Sequence, residues 1–480
     1  MKISTFVSTS LTWKLAFSGG GSRRNERNHH MKIGGPIAAV LAAGIILIWA
    51  PCAGAATGQL WVGTAKVSIT PETDESIHDP VYIRSMVLQI GDERVAFVAA
   101  DLAVFTSPEV ETECREKYGI EKVFLCASHN HTAPSKPGKG PEYSDLKAFF
   151  ARQAIRSVGM AATNLFPARL AAGRRSFPQL GFVRLVVRED GHARESWMGD
   201  DQYSAINPDR IPFGPVDNEV GVIRIDDTNG VPRVILMNYA CHADVVCQSY
   251  AISADYPGAA CRDVEQAFGG GVNCLFVNGA AGNVAPLFTV PRRNGPNDPF
   301  KTDYTPMEKM GQLLAWQTIK VAKGLRTTAA PTSLQLRDAD LSFTGRFDSS
   351  KHIDVRLTTM LVNDDIVIAA NPGELFAELG IEWKQKMGRE VANPFYFGYT
   401  WSGGQWPGYV PSIKGAALGG FGADQDRGMI EVGAGEAIFN KHLENYYRLT
   451  GLMREQPGPS GFKRGPRWIV VPVYDESDDR

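Results

Sequence analysis

The chain has 480 residues, of which 44% are hydrophobic and 21% charged, with a formal net charge of −2 at pH 7. Such a composition is that of a globular protein and argues against extensive disorder, and the near-neutral balance lacks the basic footprint of a nucleic-acid binder. A prior of roughly 150 residues per domain allows two or three domains, or one large continuous α/β core.

From residue 31 the stretch "MKIGGPIAAVLAAGIILIWAPCAGAATGQ" has a lysine near its start, an apolar run and then Ala53-Gly54-Ala55. That is the pattern of a secretory signal peptide with a small-residue cleavage site. Residues 1–30 are polar and aperiodic and read as a non-structural upstream extension, residues 31–55 as the signal peptide, with the mature chain starting near Ala56. Left uncleaved, the run would be an N-terminal membrane anchor, although it is shorter than the roughly 20 residues a spanning helix needs. An exported protein is therefore expected.

Beyond residue 56, strand-like runs occur at "LWVGTAKVSIT", "VYIRSMVLQI" and "RVAFVAADLAVF", where β-branched and aromatic residues alternate or run continuously between turn residues. A helix is predicted from Ser107 to about Lys117, then a buried strand at "KVFLCAS", a Pro/Gly loop and a long helix through "SDLKAFFARQAIRSVGMAATNL". Further strands are predicted at "FVRLVV", "EVGVIRID", "VPRVILMNYA" and "NCLFVNGA", and a helix after Asp255, where Pro257 suits a first turn. A helix over about Met307 to Val321 follows, then strands through "SLQLRDADLSFTG", "HIDVRLTTMLVND" and "DIVIAA", and a helix after Pro372 to about Met387. Residues 393–435, rich in Gly and aromatics, read as ordered loops over a site, and residues 456–480 as a Pro-rich tail.

Three predicted strand ends carry residues able to do chemistry. "ASHNHT" delivers His129 and His131, and residues two apart in an extended segment share a face, so both would enter one pocket. Open α/β sheets hold ligands beyond the carboxyl ends of their strands. "NYACHADVV" brings out His242, and "AANPGELF" delivers Glu374 at a turn entering a helix. Two imidazoles and a carboxylate would hold a catalytic zinc ion with a position left open for water. Cys241 beside His242 makes a poor nucleophile, because neighbours in an extended chain face opposite ways. "FGGGVN" lacks the Gly-Lys-Ser/Thr of a phosphate loop. The six cysteines beyond the signal have no CxxC spacing and leave disulfide pairing open.

The segments "VGTAKVSITP", "HDPVYIRSMVL", "ASHNHTAPS", "NEVGVIRI", "NYACHADVV", "ISADYPGAA", "NGAAGNVAP", "NPGELF" and "GYVPS", in this order over about residues 60 to 440, resemble the neutral/alkaline (non-lysosomal) ceramidase N-terminal domain family. The resemblance implies an α/β fold, a mixed multi-sheet catalytic domain over residues 56–455; the family continues into an immunoglobulin-like C-terminal β-sandwich, whereas here only a short tail and no separate β-sandwich is expected after about Arg454. It also implies a zinc-dependent amide hydrolase: His129, His242 and Glu374 fall on metal-ligand positions, Tyr409 on a tyrosine that completes the zinc shell, and His131 faces the scissile amide or the zinc-bound water rather than the metal. His131 and Tyr409 would be the catalytic pair. Where the family carries a serine in Gly-Asp-(Leu/Val)-Ser-Pro-Asn, this chain reads Gly282-Asn283-Val284-Ala285-Pro286-Leu287. A mechanism that uses metal-activated water does not require that hydroxyl.

The expected substrate is a small-molecule or ceramide-like lipid amide, with transient membrane-surface contact and no nucleic acid. Aromatics at Trp401, Trp406 and Phe421 would form the mouth. A non-catalytic lipid- or glycan-binding protein and a zinc hydrolase of an ester or cell-wall amide are the alternatives. Asp255 is expected as a helix cap or a support for the site histidines, Asp101 as a site-ordering residue, Arg84 as the partner of a carboxylate and His78 in a loop hydrogen bond.

Overall fold

The computed structural model describes residues 56–196, 214–247, 249, 251–290, 302–328, 330, 332–424 and 428–453. The chain divides into two units, Met1–Cys52 and Ala53–Arg480, and every described residue lies in the second. The expected extension, signal peptide and Pro-rich tail fall outside the described residues.

Nine strands form a mixed sheet in the spatial order Asn273–Asn278, Pro232–Tyr239, Glu219–Asp227, Phe166–Ser176, Leu60–Ser68, Tyr82–Ile90, Glu93–Ala100, Lys122–Ala127 and Thr400–Trp401. A second sheet of five runs Ala56–Gly58, Thr332–Thr344, His352–Val362, Ile366–Ala370 and Asn393–Phe397. The two sheets pack face to face. In the strand Glu93–Ala100, Val95, Phe97 and Ala99 enter the core shared with Ile366, Ile368 and Phe397 of the second sheet. Ala96, Val98 and Ala100 enter a core on the opposite face with the helices Pro108–Tyr118 and Leu146–Thr163. The strand Ile366–Ala370 divides in the same way, with Val367 and Ala369 packing towards the helices Ala377–Met387 and Ala434–Leu449. Four layers result, helix, sheet, sheet and helix. Burial on both faces is why these runs read as continuous rather than alternating.

This is the expected mixed multi-sheet α/β domain, with several local differences. Phe166–Ser176 is an eleven-residue strand rather than a connection, because Gly, Ala and Arg hide its period. Asn393–Phe397 is a fully buried strand rather than a loop. "FVRLVV" breaks at Arg184 into Gly181–Val183 and Leu185–Val187. The helix after Pro372 begins only at Ala377, so Glu374 lies before it, in the two-residue strand Glu374–Leu375.

The edge strand Asn273–Asn278 turns back over the large sheet. Asn273 donates to Thr64 Oγ1 at 2.6 Å and Asn278 donates to the Ser128 carbonyl at 3.1 Å. That brings the end of the strand Pro232–Tyr239, its parallel neighbour, close to the end of Lys122–Ala127.

Arg84, inside an apolar strand, is 3% exposed and donates to Asp101 Oδ2 at 2.9 Å, which also accepts the Tyr82 N–H. The expected carboxylate partner is thus Asp101. His78 stacks on Tyr304 at 3.5 Å, and all six cysteines among the described residues are free thiols. Asp101→Ala would leave Arg84 buried with only Glu265, at 3.8 Å. Unfolding free energy is expected to fall by about 3 kcal/mol or more, read as a lower urea midpoint. Lys66→Ala, at a partly exposed pair with Glu265, should shift it by less than about 1 kcal/mol. Equal shifts for the two variants would contradict this assignment of the buried pair.

Candidate active site

A single parallel bridge, Asn130 to Ala243, joins the segment after one strand to the segment after another. The His131 N–H donates to the Ala243 carbonyl at 3.1 Å, and the Asn130 N–H to Leu102 at 3.1 Å. Asn130 itself is fully buried, its amide donating to the Ser253 carbonyl at 2.7 Å and its oxygen accepting the Thr132 N–H. His129 and His131 flank it and point towards His242. The ring centroids of His129 lie 4.7 Å from His131 and 4.6 Å from His242, and one ring nitrogen of each of the three lies within 4.8 Å of the others. His129 takes φ +62°, a left-handed conformation costly for a residue with a Cβ. Such strain is held only where the surroundings over-determine it.

Glu374 arrives from the other sheet. Its short strand pairs in parallel with Tyr409–Val410, with Glu374 opposite Tyr409. Gly373 has φ +95°, and a Cβ there would meet Pro407 at 2.6 Å, so only glycine lets the turn close. Glu374 Oε2 then sits 3.1 Å from His129 Nε2 and 3.4 Å from His242 Nε2.

The tautomers follow from the partners. His129 Nδ1 lies 2.8 Å from the Ala103 carbonyl and His242 Nδ1 lies 2.8 Å from the Ala281 carbonyl. A carbonyl only accepts, so each Nδ1 carries hydrogen and each Nε2 faces Glu374. This is how proteins orient histidines for a metal. Burial lowers the His129 pKa, but the Glu374 carboxylate outweighs it and the net direction is upward. For His242, burial and the Arg184 cation push the pKa down to about 3. Glu374 stays anionic: burial opposes this, yet the two histidines hold its carboxyl well below the usual range. His131 reaches solvent, and desolvation, then the neighbouring His129 and His242, keep it neutral.

Three residues escaped the sequence reading. Arg184, fully buried, donates to the Gly282 carbonyl at 2.8 Å and the Tyr409 hydroxyl at 2.9 Å, and lies 3.4 Å from His242 Nε2. In the sequence it lies within "FVRLVV", and a charge inside so apolar a run was the available signal. Tyr399, with φ +52°, stacks on His129 at 4.5 Å, and its buried hydroxyl has no hydrogen-bond partner among the described residues. Asp244, 2% exposed, has its pKa raised to about 6 by burial against the opposing pull of Arg184.

Other expectations are corrected. Asp255 does not cap its helix or touch the site histidines. It is the first helical residue, with Ala254 before it, and its carboxylate accepts the Val246 and Tyr256 N–H groups, fixing the segment that follows His242. Trp401 does not form a mouth: it is 3% exposed and donates to the Gly404 carbonyl. Trp406 packs on Tyr399, and Phe421 lies edge-on to Tyr409 beside Arg184. Ala285 is buried in a short strand opposite Phe182, so no hydroxyl stands there.

No family model and no curated protein sequence matches the chain. Solved structures do. A neutral ceramidase from Pseudomonas aeruginosa superposes with a TM-score of 0.61 at 15% identity, covering 84% of this chain and 76% of that one. A ceramidase complexed with C2 gives 0.62 at 14%, covering 84% and 77%. The fold is therefore ceramidase-like.

A Cβ on Gly282 would meet the Glu374 carbonyl oxygen at 2.2 Å. Gly282→Ala should displace Glu374 and weaken the affinity for any divalent cation held between His129, His242 and Glu374 by roughly 10- to 100-fold in a chelator competition, with an unchanged circular dichroism spectrum. Unchanged affinity would contradict this packing.

Proposed function

We propose that the chain is a zinc-dependent hydrolase of amide bonds, exported from the cytoplasm on the strength of its Met31–Ala55 pattern. One observation carries the reading. The buried atoms His129 Nε2, Glu374 Oε2 and the Tyr399 hydroxyl lack hydrogen-bond partners in one place, and His242 Nε2 faces the same carboxylate. Orphaned buried polar atoms are costly, and a cation would satisfy these together. Two imidazoles and a carboxylate are the donor set of a catalytic zinc site, so the residues present fit the metal.

His129, His242 and Glu374 would hold the ion, with a tyrosine from the same wall. The resemblance points to Tyr409, which lies opposite Glu374 in the short parallel pair and whose hydroxyl contacts the Glu374 carboxylate as well as accepting from Arg184; the uncommitted hydroxyl of Tyr399 is the second candidate. Bound zinc would supply Lewis acidity at the scissile carbonyl and acidify the attacking water.

The remaining chemistry belongs to this chain. His131 is neutral and solvent-facing, so it can accept a proton from water and return it to the leaving amine. Tyr409 is kept protonated, its pKa raised chiefly by burial, and can donate a hydrogen bond to the carbonyl oxygen as negative charge develops there. Arg184 holds the Tyr409 hydroxyl and adds positive charge beside it. None of these steps needs a serine at position 285.

Purified protein is expected to carry about one zinc ion per chain, lost in His129→Ala. His131→Ala should keep the metal and release amine from N-acyl substrates about 100- to 10,000-fold more slowly. A metal content that His129→Ala leaves untouched would refute the zinc site.

A further inference from the structure

His131 opens the buried cluster onto a cleft of about 880 Å³. That volume lies in the range of small-molecule pockets, roughly 300–1,000 Å³. One wall is the segment Thr73 to Ser76 and the other the Pro/Gly loop Ser135 to Lys139. Lys136 pairs with Glu75 at 3.0 Å, Lys139 pairs with Asp74, and the Lys139 N–H donates to the Glu72 carbonyl. Two cations and two anions therefore cancel across the opening. Hydroxyls of Thr73, Ser76 and Ser135 line it as well, and Ile252 is the largest aliphatic side chain among the described lining residues.

We propose that this cleft takes a short, hydrophilic, uncharged N-acyl compound of the N-acylated amino-sugar class, and not an N-acyl lipid. The proposal rests on the hydrolase reading above and adds the substrate class to it. A long acyl or sphingoid chain binds by burying methylene after methylene out of water, which requires an apolar wall. In this cleft it would instead cover ion pairs and hydroxyls without replacing their hydrogen bonds to water, which is unfavourable. A polyhydroxylated ring replaces those bonds, and a neutral one leaves the balanced pairs undisturbed. The reaction is a hydrolysis: water adds to the amide carbon, the C–N bond breaks, and both protons of the water end on the nitrogen, giving a carboxylate and a protonated amine.

The test uses the full zinc-loaded protein with N,N′-diacetylchitobiose and with N-acylsphingosine in mixed micelles, reading released amine. The disaccharide is expected to show kcat/KM at least about tenfold higher than the lipid. The double substitution Glu75→Leu with Lys136→Met should raise KM for the disaccharide about fivefold or more, with kcat and zinc content retained. Preference for the lipid, or a KM unmoved in the double variant, would overturn the substrate class and leave the hydrolase reading standing. Amine from neither compound, with zinc bound, would overturn both.

Discussion

Asn130 stands between the two histidines of one strand end and ties them to the strand end that bears the third. Its side chain uses both its donor and its acceptor capacity on buried partners: the Ser253 and Asp101 carbonyls take its N–H groups, and its oxygen takes the backbone and hydroxyl of Thr132. A fully satisfied buried amide rigidifies, whereas a half-satisfied one is costly. The left-handed backbone of His129 and the register of His131 on Ala243 depend on this anchor. The curl of the large sheet and the fold-back of Asn273–Asn278 bring the two ends within reach, and Asn130 fixes them there.

Much of the scaffold was legible in the sequence because both-face burial writes long apolar runs, as in "RVAFVAA" and "DIVIAA". Phe166–Ser176 was not, since its small and basic residues carry no period. The histidines were legible from two-residue spacing at a strand end. Glu374 was read at the turn that enters a helix, and only its pairing stayed hidden, because a strand of two residues is too short to leave a pattern and Tyr409 pairs with it from far along the chain. Arg184 and Tyr399 stayed hidden because their roles exist only in three dimensions, in a hydroxyl offered from one segment and a ring stacked from another. Composition flagged the aromatics of residues 393–435 without revealing that Phe395, Tyr396, Phe397, Tyr399 and Trp401 face inward while Trp406 and Phe421 stay half-buried.

The electrostatics of the pocket form one system. Glu374 is the buried anion at the histidine pair, Arg184 the buried cation behind it, and Asp244 a carboxyl caught between burial and that cation. With Arg184 so close, a second full positive charge on His242 is disfavoured, which keeps its Nε2 lone pair available. Ala285 brings neither charge nor hydroxyl and leaves the charge balance around the carboxylate undisturbed.

The four-layer arrangement separates two kinds of demand on the chain. Between the sheets, positions such as Phe97, Ile368 and Phe397 must supply only apolar volume, and cores tolerate wide exchange as long as volume and patterning are kept. The chemistry is confined to a few polar pins at the strand ends. Such a division lets most of a lineage's residues drift while the backbone path persists, so a shared fold at 15% identity needs no special preservation of the interior. The loops at the rim are likewise free to change without touching the pins beneath them.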